Sequence, residues 1–333
     1  MRNHPTISTL LLAATFALGI SLRVAWPTLV EFKLDEATTV RHALAIAWNG
    51  DRPLVGMGSS VGMANLPLTF YLTALPLRIW SDPVAAVLFI GLLNGLAVPA
   101  CYWLGRTYFN RTVGWIAAYL FAVNPWAILL GRKLWPKVLP LVIMALMGSL
   151  MATFIHRRRW APVGAFAALA ALVGLQLEGI AFIPIVALAP FLYGKEVSGR
   201  PLLVGIAVFL LALAPYGIHD ALHGWPNLRD FGGFLRQESH FSWDALRYAF
   251  VLTGSAGIHT MAGSLYPDYQ AGLPRLWWLN TGMMGLLALA LMYAVFQTLR
   301  GPQETRRAYV LLLLWFAVPV LLRSRAVRPR SPG

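Results

Sequence analysis

Charged residues are scarce in this chain, and their scarcity excludes a soluble globular protein. Only 12% of the 333 residues are Asp, Glu, Lys or Arg, whereas soluble domains carry about 25%. Hydrophobic residues make up 58% of the sequence, and the mean hydropathy is +0.63. So few charges cannot cover a water-facing surface. The composition therefore predicts an integral membrane protein that crosses a bilayer many times.

Cysteine is almost absent as well, and acidic residues are few. Cys101 is the single cysteine, which excludes an intramolecular disulfide framework and a site built from several thiolates. The formal net charge is +14, which in a soluble protein would favour nucleic-acid binding. Here the basic residues lie between apolar segments, so they indicate membrane topology, with membrane lipids and no nucleic acid as partners. No cleavable signal peptide is predicted, because the first apolar segment is long enough to span.

Nine apolar segments are interpreted as membrane-spanning helices, which need roughly 17–25 residues each. They lie near residues 7–26, 84–104, 113–131, 137–155, 161–176, 179–194, 201–218, 276–297 and 307–322. The fifth and sixth are short and are separated by a polar turn, Gln176 to Gly179. A hairpin is favoured there, because about 34 apolar residues in one helix would extend roughly 50 Å. The predicted fold is an all-α polytopic bundle in a single domain, 1–333.

Basic residues are concentrated in one set of short connections between these spans, which marks the cytoplasmic side. They are Arg106, Arg111, Arg157, Arg158, Arg159, Lys195, Arg200, Arg300, Arg306 and Arg307. The N-terminus is then cytoplasmic, and two long loops, 27–83 and 219–275, lie on the outer face of the plasma membrane. All but two of the 13 Asp and Glu residues fall on that face. This asymmetry favours polar chemistry outside, although the length of the outer loops alone could also explain it.

The first outer loop begins with an acidic pair, Asp35 and Glu36. At headgroup depth such a pair is poorly solvated and costly unless partnered. It is therefore a candidate general base with an orienting group, or part of a site for a divalent cation. Apolar residues at helical spacing follow and predict an amphipathic helix along the membrane surface. The apolar segment 66–80, which two prolines interrupt, predicts an interfacial or re-entrant helix.

Three cations in one turn form a second candidate site on the predicted outer face. Arg132, Lys133 and Lys137 follow the third span, against the usual charge bias. A phosphate-bearing lipid would explain them, because Arg and Lys bind phosphate oxygens well. Contact of long basic side chains with headgroups is the alternative. Glu178, at the tip of the predicted hairpin, is a third candidate, with a turn or capping role as its alternative.

The second outer loop offers a weaker metal-binding pattern. His219 and His223 are four residues apart and could share one helical face as ligands. No third ligand matches their spacing, so a hydrated loop is the simpler interpretation.

Four motifs resemble those of the GT-C glycosyltransferases. The similarity is to bacterial relatives of the dolichyl-phosphate-mannose protein mannosyltransferases (glycosyltransferase family 39) and to the aminoarabinose lipid A transferases. In chain order they are Leu34-Asp35-Glu36-Ala37, Asn124-Pro125-Trp126 with Gly131-Arg132-Lys133-Leu134-Trp135, Gly174-Leu175-Gln176-Leu177-Glu178, and Leu213-Ala214-Pro215-Tyr216 with Gly224-Trp225-Pro226-Asn227. Each motif is loose alone, and their order makes the resemblance moderately specific.

The resemblance implies a GT-C-like enzyme that transfers a hexose or pentose, with inversion, from a polyprenyl-phosphate carrier. The acceptor would be a lipid, glycan or protein on the outer face of the cell envelope. Asp35 would act as general base on the acceptor hydroxyl or help to place a metal ion, and Glu36 would support it. Arg132 and Lys133 would hold the departing phosphate, because cations stabilise charge that develops in a low-dielectric site. Lys137 and Glu178 are further candidates for substrate binding.

The sequence departs from the family pattern at two places. Glu178 stands where the family has a His. The chain also ends soon after Trp315 to Pro319, in a basic tail on the predicted outer face, so a C-terminally truncated gene product is expected.

Two other functions remain open at this point. One is a transporter or flippase for a lipid-linked or anionic solute. It would need internal repeats and charges near mid-membrane, but repeats are not evident and Arg23 is the main charge within the predicted spans. The other is a non-catalytic membrane scaffold.

Overall fold

A computed structural model describes residues 5–29, 32–59, 62–134, 140–187, 199–236, 239–254 and 277–327. These residues form α-helices with two short strands. The helices are α1 (Pro5–Val24), α2 (Leu34–Leu44), α3 (Leu68–Leu77), α4 (Pro83–Gly95), α5 (Ala97–Tyr108), α6 (Arg111–Val123), α7 (Pro125–Leu130), α8 (Pro140–Phe154), α9 (Ala161–Leu175), α10 (Gly199–Leu222), α11 (Pro226–Leu235), α12 (Asp244–Gly254), α13 (Trp277–Arg300) and α14 (Gln303–Arg323). A π turn at Ala45–Asn49 extends α2, and 3-10 turns cover Pro27–Leu29 and Leu177–Phe182.

Apolar helices long enough to cross a membrane recur along the chain. Among the described residues, four reach that length: Pro83–Tyr108, which joins α4 and α5, Gly199–Leu222, Trp277–Arg300 and Thr305–Leu322. Six shorter apolar helices accompany them. Their outward faces are apolar, as Leu211 on α10 shows with 71% of its surface exposed. Such faces are stable only against lipid or another apolar partner, so the predicted all-α membrane fold is confirmed.

One predicted span differs from the observed helices, and one predicted break agrees with them. Segment 113–131 is divided into α6 and α7, because Pro125 has no N–H to continue the first helix and instead begins the second. The break predicted at Gln176 is confirmed, since α9 ends at Leu175. The chain then packs back on α9: a Cβ on Gly179 would lie 2.8 Å from the Val173 nitrogen. One continuous helix is therefore excluded.

The chain divides into two compact units. The first comprises Met1–Val123 and Ala127–Arg236, and the second Asn124–Trp126 and Gln237–Gly333. In the first unit, one hydrophobic cluster joins α2, α3 and α4 and includes Leu134. A second joins α5 and α6, with partly buried side chains of α1 against it. The helix α1 lies so close to α4 that a Cβ on Gly91 would overlap the Arg23 carbonyl.

The second unit contains α12, α13, α14 and a two-stranded antiparallel sheet. Strand β1 (Ser239–Phe241) pairs with β2 (Arg325–Val327), so that His240 faces Ala326. Ser242 extends the contact by donating its N–H to the Ser324 carbonyl at 2.8 Å. The start of the basic tail is thus held by strand pairing, which its composition did not predict.

Candidate functional site

Asp35 lies at the second position of α2, with its side chain exposed. Within the described ranges its carboxylate makes no hydrogen bond or ion pair. A carboxylate in the first turn of a helix is favoured by the positive end of the helix dipole. Asp35 is therefore held on a rigid element with both oxygens open to a substrate.

Glu36 faces the opposite way. Only 3% of its surface is exposed, and Oε2 accepts the backbone N–H of Lys33 at 3.0 Å. This is one of the two hydrogen bonds of a capping box, in which a glutamate at the third helical position accepts the N–H of the residue before the helix. The two adjacent carboxylates thus have different surroundings. Glu36 fixes the start of the helix that presents Asp35.

The capping geometry gives a prediction for Glu36. We expect Glu36→Gln to retain stability, because a glutamine oxygen can accept the same Lys33 N–H. Glu36→Ala removes the acceptor and should cost about 1 kcal/mol of unfolding free energy. Chemical unfolding of the detergent-solubilised variants would measure both. A glutamine variant as unstable as the alanine one would contradict the capping role.

The cationic turn (Gly131 to Lys133) is fixed to two neighbouring helices. The Gly131 carbonyl accepts a hydrogen bond from Nδ2 of Asn94 at 2.9 Å, and Asn94 is fully buried. A Cβ on residue 131 would lie 2.6 Å from the Ala127 carbonyl oxygen, so glycine is required for this close approach. Nη2 of Arg132 donates to the carbonyls of Ala25, at 2.6 Å, and Trp26. The turn is thereby tied to the end of α1.

The two described cations of this turn differ in exposure, because Arg132 is half-buried and Lys133 is buried. Lys133 is only 4% exposed. Burial lowers the pKa of the Arg132 guanidinium from its ordinary value, and the group still stays protonated at neutral pH. A guanidinium has five N–H donors, so the two carbonyl contacts leave others for an anion. Lys137 lies outside the described residues.

The cationic turn and the segment that carries Asp35 are linked through other residues and do not contact each other through Asp35 and Arg132. Arg132 binds the carbonyls at the entrance to the loop that carries Asp35, and Leu134 packs in one cluster with Val40 of α2. In the described part of the chain, no hydrogen bond or ion pair joins Asp35 to Arg132. That Asp35 and Arg132 belong to one catalytic site stays a prediction.

Glu178 is exposed at the start of the 3-10 turn after α9. Its turn is bonded to the first long loop: the Leu177 N–H donates to Oδ1 of Asn65 at 3.1 Å, and the Thr69 hydroxyl donates to the Leu175 carbonyl at 2.9 Å. The third motif therefore lies against residues 65–69.

The fourth motif also meets the first loop, at Ala64. The Tyr216 hydroxyl donates to the Ala64 carbonyl at 2.7 Å, and the Ala64 N–H donates to Oδ1 of Asn227 at 2.7 Å. Tyr216 of α10 and Asn227 of α11 thus hold one residue, Ala64, through both of its backbone polar groups. The first loop is clamped by both later motifs.

Asp220 is the residue that sequence reasoning missed. It lies in the predicted second outer loop, 219–275, yet only 4% of it is exposed. Oδ1 accepts the backbone N–H of Asn227 at 2.9 Å and its side-chain amide at 3.0 Å, and Oδ2 accepts the Leu228 N–H at 3.2 Å. The position of an acidic residue between the two halves of the fourth motif was the available signal.

Among the described residues, no third metal ligand lies with the two histidines of the second loop. His219 and His223 stack with ring centroids 4.0 Å apart, and Nδ1 of His223 lies 2.7 Å from the His219 carbonyl oxygen. Across the described ranges, no three His, Cys, Asp or Glu side chains form a metal-binding group.

A groove of about 810 Å³ lies between the end of α2 and α3. Trp48, Tyr71 and Arg78 are among its lining residues. None of the site residues predicted from the sequence lines it, so it does not join the acidic and cationic features.

Comparison with known proteins identifies the fold. No family model matches the sequence, and no curated protein matches it. The structure is similar to ArnT from Cupriavidus metallidurans bound to undecaprenyl phosphate, with a TM-score of 0.57 and 16% identity over 97% of this chain and 61% of that chain. The oligosaccharyltransferase from Archaeoglobus fulgidus in the apo form matches with a TM-score of 0.43 and 14% identity, over 98% of this chain and 57% of the other.

The likeness to ArnT shows a GT-C glycosyltransferase fold, as the sequence motifs predicted. This chain spans about three fifths of the ArnT chain. The assignment to glycosyltransferase family 39 stays a prediction.

Proposed function

From the GT-C fold, we propose that this integral membrane protein is a glycosyltransferase that takes a sugar from a polyprenyl-phosphate carrier. The acceptor is a lipid, glycan or protein on the outer face of the plasma membrane, and the N-terminus is cytoplasmic. One observation carries the proposal: an exposed, unengaged carboxylate at the start of α2 lies in a loop that the cationic turn binds at its entrance.

Asp35 would act as the general base. Its carboxylate accepts the proton of an acceptor hydroxyl as that oxygen attacks the anomeric carbon. The bond between the anomeric carbon and the phosphate oxygen breaks, and the carrier phosphate leaves with the electron pair. A single displacement of this kind inverts the anomeric configuration. Glu36 supports the reaction by capping α2, which keeps Asp35 in position.

Arg132 and Lys133 would hold the carrier phosphate. Negative charge grows on that phosphate as the glycosidic bond breaks, and fixed cations in a water-poor site stabilise it strongly. Arg132 suits this task because its remaining N–H donors can form a fork with phosphate oxygens. Lys137 and Glu178 are proposed as further substrate-binding residues. Asp35 would be the ligand for a divalent cation, which would supply positive charge near the reacting atoms.

A donor screen tests the proposal. Purified protein in lipid is incubated with several polyprenyl-phosphate sugars, and release of the free carrier phosphate is measured with sugar transfer to acceptor lipids. We expect at least one donor to give both products in equal amounts. A transporter would instead move solute into proteoliposomes without cleaving the donor. Uptake with no carrier phosphate released from any donor would overturn the proposal.

A further inference from the structure

Arg23 is a buried cation in the last turn of α1. None of its surface is exposed. Nη1 donates to the carbonyls of Gly19, at 2.8 Å, and Ala122, at 3.1 Å, and Nη2 donates to the Phe121 carbonyl at 2.9 Å. Arg23 thus binds α1 to the end of α6.

The positive charge of Arg23 has no acidic partner among the described residues. It lies against three carbonyl oxygens, and its guanidinium carbon is 4.9 Å from the centre of the Phe121 ring. A buried charge of this kind is costly, so a role beyond packing is expected. Nε has no hydrogen-bond partner in the described chain and lies 3.6 Å from where a Cβ on Gly131 would be.

The side chain therefore reaches from α6 to the cationic turn. Arg23 lies beside Gly131, and two hydrogen bonds fix the turn there: Asn94 donates to the Gly131 carbonyl, and Arg132 donates to the segment just after Arg23. The planar fork of an arginine can satisfy carbonyls on two helices at once, which a lysine ammonium cannot reproduce.

We infer that Arg23 is a positioning residue that holds α6 against α1 beside the cationic turn, and so sets where Arg132 and Lys133 meet the donor phosphate. The inference rests on the proposed function for the identity of the donor. It gives a role to the charge of Arg23, which lies within the first span and takes no part in the proposed catalytic steps.

The test compares Arg23→Lys with the wild type. We expect the donor KM to rise at least about tenfold, because small displacements of binding groups carry large kinetic effects. The acceptor KM should not change, and binding of undecaprenyl phosphate without sugar should weaken by a similar factor. Arg78→Lys is the matched control, because Arg78 also donates to a helix carbonyl, that of Ala47, and lies 5.4 Å from a Trp48 ring. It should match the wild type.

Gly131→Ala provides an independent variant if Arg23→Lys does not fold. The added Cβ shifts the turn while leaving Arg23 intact, so the donor KM should rise in the same way. The inference would be overturned if the folded variants kept the donor KM and the undecaprenyl phosphate affinity of the wild type. It would also be overturned if kcat alone fell, by the same factor as the amount of folded protein.

The same measurements separate this inference from the proposed function. If the wild type binds undecaprenyl phosphate but transfers no sugar from any donor, the proposed function fails, and the binding comparison still decides the role of Arg23. If the wild type does not bind undecaprenyl phosphate, both are overturned.

Discussion

Asp35→Asn is expected to abolish sugar transfer while leaving the protein folded in the membrane. The amide has the size of the carboxylate but cannot accept a proton, and a positioned general base contributes roughly 10²- to 10⁴-fold to a rate. We therefore expect a fall in kcat of about 10³-fold. The Lys33–Glu36 cap that begins α2 is untouched, so thermal unfolding in detergent should match that of the wild type.

Asp51→Asn is the matched control for this experiment. Asp51 is an exposed carboxylate in the same predicted outer loop, and its neutralisation changes the local charge by the same amount. It should retain full transfer activity. Full activity in Asp35→Asn would refute the assigned role, and an equal loss in both variants would point to the charge of the loop instead.

Asp220→Ala is expected to destabilise the first unit by about 2 to 3 kcal/mol. Three donors lose their acceptor: the N–H and side-chain amide of Asn227 and the N–H of Leu228. Each buried donor left unsatisfied costs about 1–3 kcal/mol, less where water can enter. Because Asn227 also binds Ala64, the first long loop should become easier to cleave by protease near that residue.

Asp230→Ala serves as the comparison for stability. Asp230 is exposed on α11, the helix that carries the donors bound by Asp220, and its removal should change the unfolding free energy by less than about 0.5 kcal/mol. Denaturant unfolding and limited proteolysis measure the two effects separately. An Asp220→Ala variant that is as stable and as resistant to protease as Asp230→Ala would show that the carboxylate is dispensable.

The four motifs illustrate how far the sequence leads towards the site. Their order made the family resemblance moderately specific, and the structure brings the third and fourth motifs to the first loop at Asn65 and Ala64. The second motif reaches the same loop through Arg132, whose partner Ala25 is 107 positions away in the chain. No periodicity in a single sequence reports such a pairing, because it depends on how α1, α4 and α6 pack.

The membrane class, the main apolar helices and the break at Gln176 follow from the amino-acid sequence alone, because hydrophobic runs and helix breakers act locally. It also selected Asp35 and the cationic turn as candidates. The tertiary structure decided the environment of each charge. Of two adjacent carboxylates, Asp35 is exposed, whereas Glu36 is buried and caps α2. Asp220 and Arg23 are buried, and each forms hydrogen bonds with backbone groups. The environment of a charge is set by residues far away in the chain, which is why only packing reveals it.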